Sequence, residues 1–323
     1  MTGSSVRGHT VGWIGTGRMG YQIAQRLIDG GCDVAVWNRT RSKAEPLAEH
    51  GATIVDSPAE LAGREIVFTM VAGPDDFQEV TTGPNGVLSG NGDAPMILVD
   101  SSTISADAST AVRDVATQRG TSVLAAPVSG NPSVVKAGRL TVVSSGPREA
   151  FDIAEPYLEL FGAGVTYVGE GDAARLVKIC HNLFLGVVAE SMAEIAVLAE
   201  RGGVPRRDFF EFLNQSVLGS TFTRYKTPAY VNRSYSPTFT LELLRKDFDL
   251  GLDAGEELGV PLPTMELVRR LVQDAIDAGY TGLDFASLLE LEADQAGVQL
   301  ADDAGPVDDG LAPTPSQTAP AQS

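Results

Sequence analysis

Between residues 10 and 168, short runs rich in Val and Ile alternate with stretches of helical spacing, the pattern of an α/β domain built on a doubly wound parallel sheet. The strand candidates are residues 11–14, 34–37, 66–70, 96–99, 123–125, 141–143 and 165–168, most of them ending at Gly, Pro, Asn, Asp or Ser. In such sheets the loops that follow the strands carry the ligand. After Gly171 the pattern changes. Asp172 can cap a helix that runs, apart from Gly186, without Gly or Pro until Gly202-Gly203-Val204-Pro205 stops it. Roughly thirty residues of helix span about 45 Å, enough to join two domains. Helical spacing returns over 207–214, 241–258, 263–278 and 285–296 with no strand pattern between them, so the second domain reads as all-α. Residues 298–323 combine Asp302, Asp303, Asp308 and Asp309 with Pro306, Pro313, Pro315 and Pro320 and read as a disordered acidic tail. The pattern therefore predicts a Rossmann-like domain over 1–171, a long interdomain helix opening an all-helical domain over 172–297, and the tail.

Composition narrows the function classes. A chain of 323 residues fits two domains of ordinary size. Its net charge of −18 argues against a nucleic-acid partner, because a phosphate backbone calls for a basic surface. No run reaches about 18 consecutive apolar residues and the polar start Met1-Thr2-Gly3-Ser4-Ser5 lacks the apolar middle of a signal peptide, so neither export nor a membrane is expected and the compartment reads as cytoplasmic. Cys32 and Cys180 offer no disulfide framework, and His9, His50 and His181 do not cluster, so no metal site is expected.

Candidate chemistry sits at the ends of the first strands. Gly15-Thr16-Gly17-Arg18-Met19-Gly20 follows a hydrophobic strand and opens an amphipathic helix, the setting in which glycines permit a tight turn and let backbone approach a pyrophosphate. About 23 residues after Gly15, where a site for NAD usually carries an acid for the ribose 2′-hydroxyl, the chain has Asn38, then Arg39 and Thr40. A 2′-phosphate there would meet a cation in place of a repelling carboxylate, so NADP is expected, with NAD the alternative. Met70 and Val71, at the end of the strand over 66–70, join this cofactor set. On the long helix, Lys178 and Asn182 lie one turn apart on one side and form a candidate catalytic couple. Leu176, Val177, Ile179, Cys180, Leu183, Phe184 and Leu185 surround the lysine, which predicts a segment buried on most faces and an ammonium made a better proton donor by desolvation. Pro127-Val128-Ser129-Gly130-Asn131 follows a strand and can bind an anion or form an ordinary turn. Trp13, Trp37, Phe209, Phe210 and Phe212 read as packing residues. Gly186, Ala189, Ala193 and Ala196 form a small-residue stripe that another helix could approach, from the same chain or from a second copy, so homodimerisation is one outcome.

In this order the motifs resemble the β-hydroxyacid dehydrogenase family, which includes 3-hydroxyisobutyrate dehydrogenase, tartronate semialdehyde reductase and glyoxylate/succinic semialdehyde reductases. The match runs from about residue 10 to 296 and includes the Gly15 to Gly20 fingerprint, Asp100-Ser101-Ser102-Thr103-Ile104-Ser105, Ala126-Pro127-Val128-Ser129-Gly130, Lys178 with Asn182, Lys246-Asp247 and Asp284-Phe285-Ala286. The resemblance implies that Lys178 is the general acid/base, that Asn182 with Ser129 and Gly130 holds a small-molecule substrate, and that Thr103 and Lys246 lie near the nicotinamide. It also implies NADP-dependent hydride transfer on a small β-hydroxyacid or (semi)aldehyde, in a Rossmann domain followed by a helical substrate and dimerisation domain like that of 6-phosphogluconate dehydrogenase, and a homodimer or homotetramer. Several positions depart from the family pattern: Ala125 replaces an aspartate, Asn131 a glycine in the substrate loop, and Pro132 has no N–H to offer an anion, which predicts weaker carboxylate recognition. Val134 and Val135 replace a Gly-Ala pair and add bulk that could reshape the substrate pocket. The alternatives are an imine reductase of the same architecture, which usually lacks the lysine, and a non-catalytic NADP-binding sensor.

Overall fold

The computed structural model describes residues 8–90, 92–303 and 305–312; the start from Met1 to Ser5 and Pro313, Pro315 and Pro320 of the tail lie outside the described residues. The chain forms two compact units that divide between Cys180 and His181, within the long helix.

The first unit opens with β1 (Val11–Ile14), α1 (Arg18–Asp29), β2 (Val34–Trp37), β3 (Thr53–Ile54), β4 (Ile66–Thr69), α2 (Pro74–Thr82), β5 (Ile97–Asp100), α3 (Ala106–Gln118) and β6 (Ser122–Ala125). These six strands make one parallel sheet in the order β3-β2-β1-β4-β5-β6. Strands β1, β4 and β5 are buried along their whole length, as in a sheet covered on both faces, and so they read as unbroken apolar runs. Ile14 pairs with both Trp37 and Thr69, and Thr69 with Asp100. Four strands therefore end at one level, and the turns at Gly15, Asn38, Met70 and Ser101 leave from the same edge.

The later strands depart from expectation. After β6 come β7 (Val128–Ser129), α4 (Pro132–Lys136), β8 (Leu140–Ser144), α5 (Arg148–Glu159) and β9 (Gly162–Tyr167). The runs around 141–143 and 165–168 leave the main sheet and join β7 in a second one, ordered β7-β8-β9, with β7 antiparallel to β8. Gly130, at φ +141°, turns the chain there, and Ala125 and Ser145 bridge antiparallel, so the pairing direction reverses. Trp13 stacks on Phe68 at 5.7 Å, and Phe161 meets Trp13 edge-on at 6.0 Å, closing the core beneath the turn at Gly15.

Helix α6 (Ala173–Arg201) crosses the division. It is long and apolar enough to span a membrane, at mean hydropathy 1.6, yet 50% of that window is buried within the protein. The second unit continues with α7 (Arg206–Gln215), α8 (Thr221–Asn232), α9 (Leu241–Glu257), α10 (Pro263–Ala275) and α11 (Leu288–Ala296). Helix α8 gave no clear helical signal, because Pro228 sits in its interior. It forms because tertiary contacts offset that defect. Ser220 and Thr223 make a reciprocal cap, Tyr230 is fully buried with its hydroxyl donating to the Ala189 carbonyl at 2.8 Å, and the buried Lys226 ammonium meets Asp284 at 2.5 Å. Asp284 also accepts from the Thr238 hydroxyl and the Ala286 N–H, so it satisfies the ammonium and caps the turn before α11.

The structure sharpens three expectations. The stripe of Gly186, Ala189, Ala193 and Ala196 packs inside the unit: a Cβ on Gly186 would stand 2.5 Å from the Phe248 ring. It is spent on α8 and α9, and the opposite face of α6 exposes Phe184, Ile195 and Leu198 instead. Phe210 is core, but Phe212 is exposed, since α7 is amphipathic and Phe212 lies on its outer side. Of the tail, residues 298–303 and 305–312 are described, and several of them pack on α7. Arg206 donates to the Ala301 carbonyl at 2.8 Å, Arg207 pairs with Asp303 at 2.8 Å, and Leu300 and Leu311 are buried, so two cations of α7 and two apolar anchors hold a segment whose composition alone reads as disordered.

One buried carboxyl in this unit is held protonated by its surroundings. Glu190 of α6 is buried, and its desolvation first, then the carboxyls of Glu292 on α11 and Glu194 one turn on, push it from 4.5 up to about 9. Between those values the folded protein holds a proton that the unfolded chain has released. Stability from this group is thus complete below pH 4.5 and is lost as pH rises toward 9. Glu190→Gln removes that slope: the variant's melting temperature relative to the parent should climb steadily from pH 5 to pH 9. A constant offset across that range, measured by thermal melts, would refute the assignment.

Candidate active site

The turn after β1 is built around two obligatory glycines. A Cβ on Gly15, at φ +100°, would lie 2.2 Å from the Met70 carbonyl oxygen, and one on Gly20 would lie 2.0 Å from that of Gly15. Gly17 differs, because a Cβ there meets nothing within 4 Å. It stands at the N-cap of α1 with no side-chain cap and no acid in the first turn, so the helix start keeps its N–H groups for an anion. Arg18 is exposed beside it, whereas Met19 packs partly on the core. The Thr16 hydroxyl is buried and finds no protein partner among the described residues. An open backbone approach, an uncapped helix start and an orphan hydroxyl all fit a dinucleotide pyrophosphate.

The ribose end lies beside this turn. Asn38 is committed to the scaffold: its Oδ1 accepts from the Thr16 N–H at 2.9 Å and its Nδ2 donates to the Thr40 carbonyl at 2.9 Å. Its side chain ties the glycine turn to the end of β2. Arg39 pairs with Asp76 of α2 at 2.7 Å. Gly15, Gly17, Arg39, Thr40, Met70 and Val71 line a cavity of about 240 Å³, which also takes in Lys43 and Asp76, two residues that sequence reasoning missed. Their signal was faint, since each lies on a separate short helix. A larger cavity of about 540 Å³ lies under the tail, lined by Arg207, Asn214 and Arg224, and holds none of the residues that carry the motifs.

Beyond β5 the chain presents Thr103 on a half-buried loop. Behind it lies a buried charge network. Asp100, fully buried, takes the Thr69 hydroxyl at 2.7 Å on one oxygen and Arg175 of α6 at 2.9 Å on the other. Burial alone would raise the Asp172 carboxyl, but the guanidiniums of Arg113 and Arg175 and the Ser109 hydroxyl outweigh it and hold it below the usual range. Asp100 could have been flagged as the head of the Asp-Ser-Ser-Thr motif; nothing in the sequence marks Arg175.

In the proposed substrate loop Ser129 is half-buried on β7, and Asn131 is an N-cap, accepting from the Val134 N–H at 3.0 Å. Its oxygen thereby serves α4. Pro132 follows as the first residue of α4, where an N–H is not needed. Val134 and Val135 face the core, so their bulk does not enter a pocket.

On α6, Lys178 is half-buried, and Leu176, Val177 and Phe184 are 41%, 42% and 68% exposed. The expectation that this segment is buried on most faces fails, because only one side of the helix packs. Asn182 is buried and donates to Asp247 of α9 at 2.6 Å, with its oxygen 3.0 Å from His181 Nδ1. Lys246, next to Asp247, is half-buried in the second unit.

Residues 10–169 match the NAD binding domain of 6-phosphogluconate dehydrogenase, and residues 171–291 match the family described as NAD-binding of NADP-dependent 3-hydroxyisobutyrate dehydrogenase. Over 291 residues the chain is 30% identical to the 3-hydroxyisobutyrate dehydrogenase of Pseudomonas aeruginosa, covering 87% of this chain and 97% of that protein. The chain belongs to the β-hydroxyacid dehydrogenase family. Within it, the glyoxylate/succinic semialdehyde reductase 2 (chloroplastic) of Arabidopsis thaliana is 30% identical over 286 residues, 87% of this chain and 78% of that protein. Among solved structures, Psf3 in complex with NADP+ and 2-OPP is 26% identical with a TM-score of 0.77, covering 87% of this chain and 99% of that one. This β-hydroxyacid dehydrogenase family member is accordingly an NAD(P)-dependent oxidoreductase acting on CH–OH groups.

The glycines separate structure from function. Gly20→Ala should destabilise the first unit by about 1–3 kcal/mol, since its Cβ meets backbone. Gly17→Ala should melt like the parent yet bind dinucleotide at least about tenfold more weakly in a fluorescence titration. Equal binding by the Gly17 variant would remove that glycine from the site.

Proposed function

We propose that the protein is an NADP-preferring reductase or dehydrogenase of small β-hydroxyacids or semialdehydes, with Lys178 as the general acid/base. The observation that carries the cofactor preference is Arg39, with Thr40 and Lys43, at the end of β2 where the acid that would favour NAD is absent. A 2′-phosphate has to share or take Arg39 from Asp76, an exchange made easy by the guanidinium's 78% exposure. The bound dinucleotide supplies or accepts the hydride. Lys178 gives the substrate oxygen its proton during reduction and takes it back in oxidation. Asn182 keeps one N–H beyond the bond to Asp247 for the substrate or the lysine, and Ser129 with Gly130 holds the far end of the substrate.

The exposed Phe184, Ile195 and Leu198 on one face of α6 support a homodimer, because large apolar side chains gathered on one helix face are usually covered. Lys178, which imine reductases of this architecture usually lack, counts against the imine reductase reading.

Two measurements test this reading. Lys178→Ala should lower kcat by about 10² to 10⁴ on an acid aldehyde such as glyoxylate or succinic semialdehyde while NADPH binding stays within about twofold. Unchanged turnover would take Lys178 out of the chemistry. For the cofactor, kcat/KM should favour NADPH over NADH in the parent, and Arg39→Ala should cut the NADPH value at least about tenfold with NADH nearly unaffected. An equal loss with both cofactors would reject the 2′-phosphate role.

A further inference from the structure

Arg175 occupies the first turn of α6 and is buried, at 7% exposure. A buried guanidinium is costly unless its N–H groups are matched, and here they are matched by the loop that carries Thr103. Nη2 reaches Asp100 at 2.9 Å, Nη1 reaches the carbonyl of Ser102 at 3.2 Å, and Nε lies 3.2 Å from both the Ser109 hydroxyl and Asp172. The contacted groups are themselves fixed. Asp100 accepts from the Ser102 N–H at 3.1 Å, and the Ser102 hydroxyl accepts from the Val71 N–H at 2.9 Å. On the helix side, Arg113 grips Asp172 at 2.8 Å and the Val123 carbonyl at 2.8 Å, and the Ala174 N–H donates to Ser145 at 2.9 Å. The start of α6 is thereby tied to the ends of β4, β5 and β6.

Lys178 stands three residues after Arg175 on the same helix, about 4.5 Å further along its axis. A helix whose first turn is clamped carries the next turn with it.

We propose that Arg175 is a positioning residue for proton transfer: through Asp100 and Ser102 it fixes the height and rotation of Lys178 against the loop bearing Thr103. This rests on the reading of Lys178 as the acid/base. A misplacement of about 1 Å can cost on the order of a hundredfold in rate, so a fork that sets this distance is a rate-determining feature of the fold. An ammonium could keep the ion pair with Asp100, but it could not span Asp100, Ser102 and Ser109 together.

The test compares Arg175→Lys, Asp100→Asn and Lys178→Ala with the parent, each checked first for NADPH binding. Asp100→Asn weakens the same contact from the sheet side, so the question survives if the lysine variant folds poorly. Expected for Arg175→Lys and Asp100→Asn are a fall in kcat of at least about tenfold, an NADPH Kd within about twofold, and a larger solvent deuterium isotope effect on kcat, because a misplaced donor makes proton transfer limit the rate. A merely structural role would reduce the amount of folded, cofactor-binding protein and leave kcat per bound site and its isotope effect unchanged; that result overturns the proposal. If Lys178→Ala keeps its turnover, the acid/base reading falls and the positioning role falls with it. If Lys178→Ala is inactive while Arg175→Lys behaves as the parent, only the positioning role is lost.

Discussion

Four parallel strands of the first unit end at one level, and the placement of the candidate site depends on that register. Because Ile14, Trp37, Thr69 and Asp100 lie side by side, the turns that follow them open on a single edge. The glycine turn then passes so close to the end of β4 that no side chain fits at Gly15. Asn38 ties that turn to the end of β2, so three strand ends act as one rigid rim. The rim presents backbone at its centre and charged side chains at its margin, the division of labour expected of a dinucleotide site in an open α/β sheet.

Behind the rim the chain handles charge in a way its acidity does not suggest. The surplus of carboxylates is largely a surface property, while the buried cations Arg175, Arg206 and Lys226 each sit against a matched carboxylate. Such pairs cost desolvation and contribute little net stability over apolar packing, but leaving either partner alone is strongly unfavourable, so they specify geometry. Arg175 specifies where α6 starts, and Lys226 with Asp284 specifies how α8 meets the turn before α11. Glu190 is the exception, a buried carboxyl whose nearest charged neighbours are acids.

The motif residues were legible because each is tied to a local rule. Gly15, Gly17 and Gly20 follow from what a tight turn and a pyrophosphate demand of backbone, and the long helix follows from Asp172 at its start and Gly202 at its end. Other features escaped because they are decided by partners far along the chain. The strands β8 and β9 carry Val-containing runs as the main-sheet strands do, but β8 alternates buried and exposed positions and β9 buries none fully, and after the turn at Gly130 they pair in a second sheet. Helix α8 survives Pro228 through Tyr230 and Lys226. The small-residue stripe of α6 was visible, but which neighbour fills it was not.

By itself, then, the sequence determined the fold class, the dinucleotide turn and the candidacy of Lys178, since these rest on periodicity, glycine chemistry and one turn of helix. Tertiary structure alone decided that Asn131 caps a helix, that Arg39 is shared with Asp76, that residues 298–312 are held against α7, and that Arg175 joins α6 to Asp100. Each of these is a polar contact between residues distant in the chain or a choice among equivalent donors. Composition and spacing show which groups need partners, and only packing assigns them.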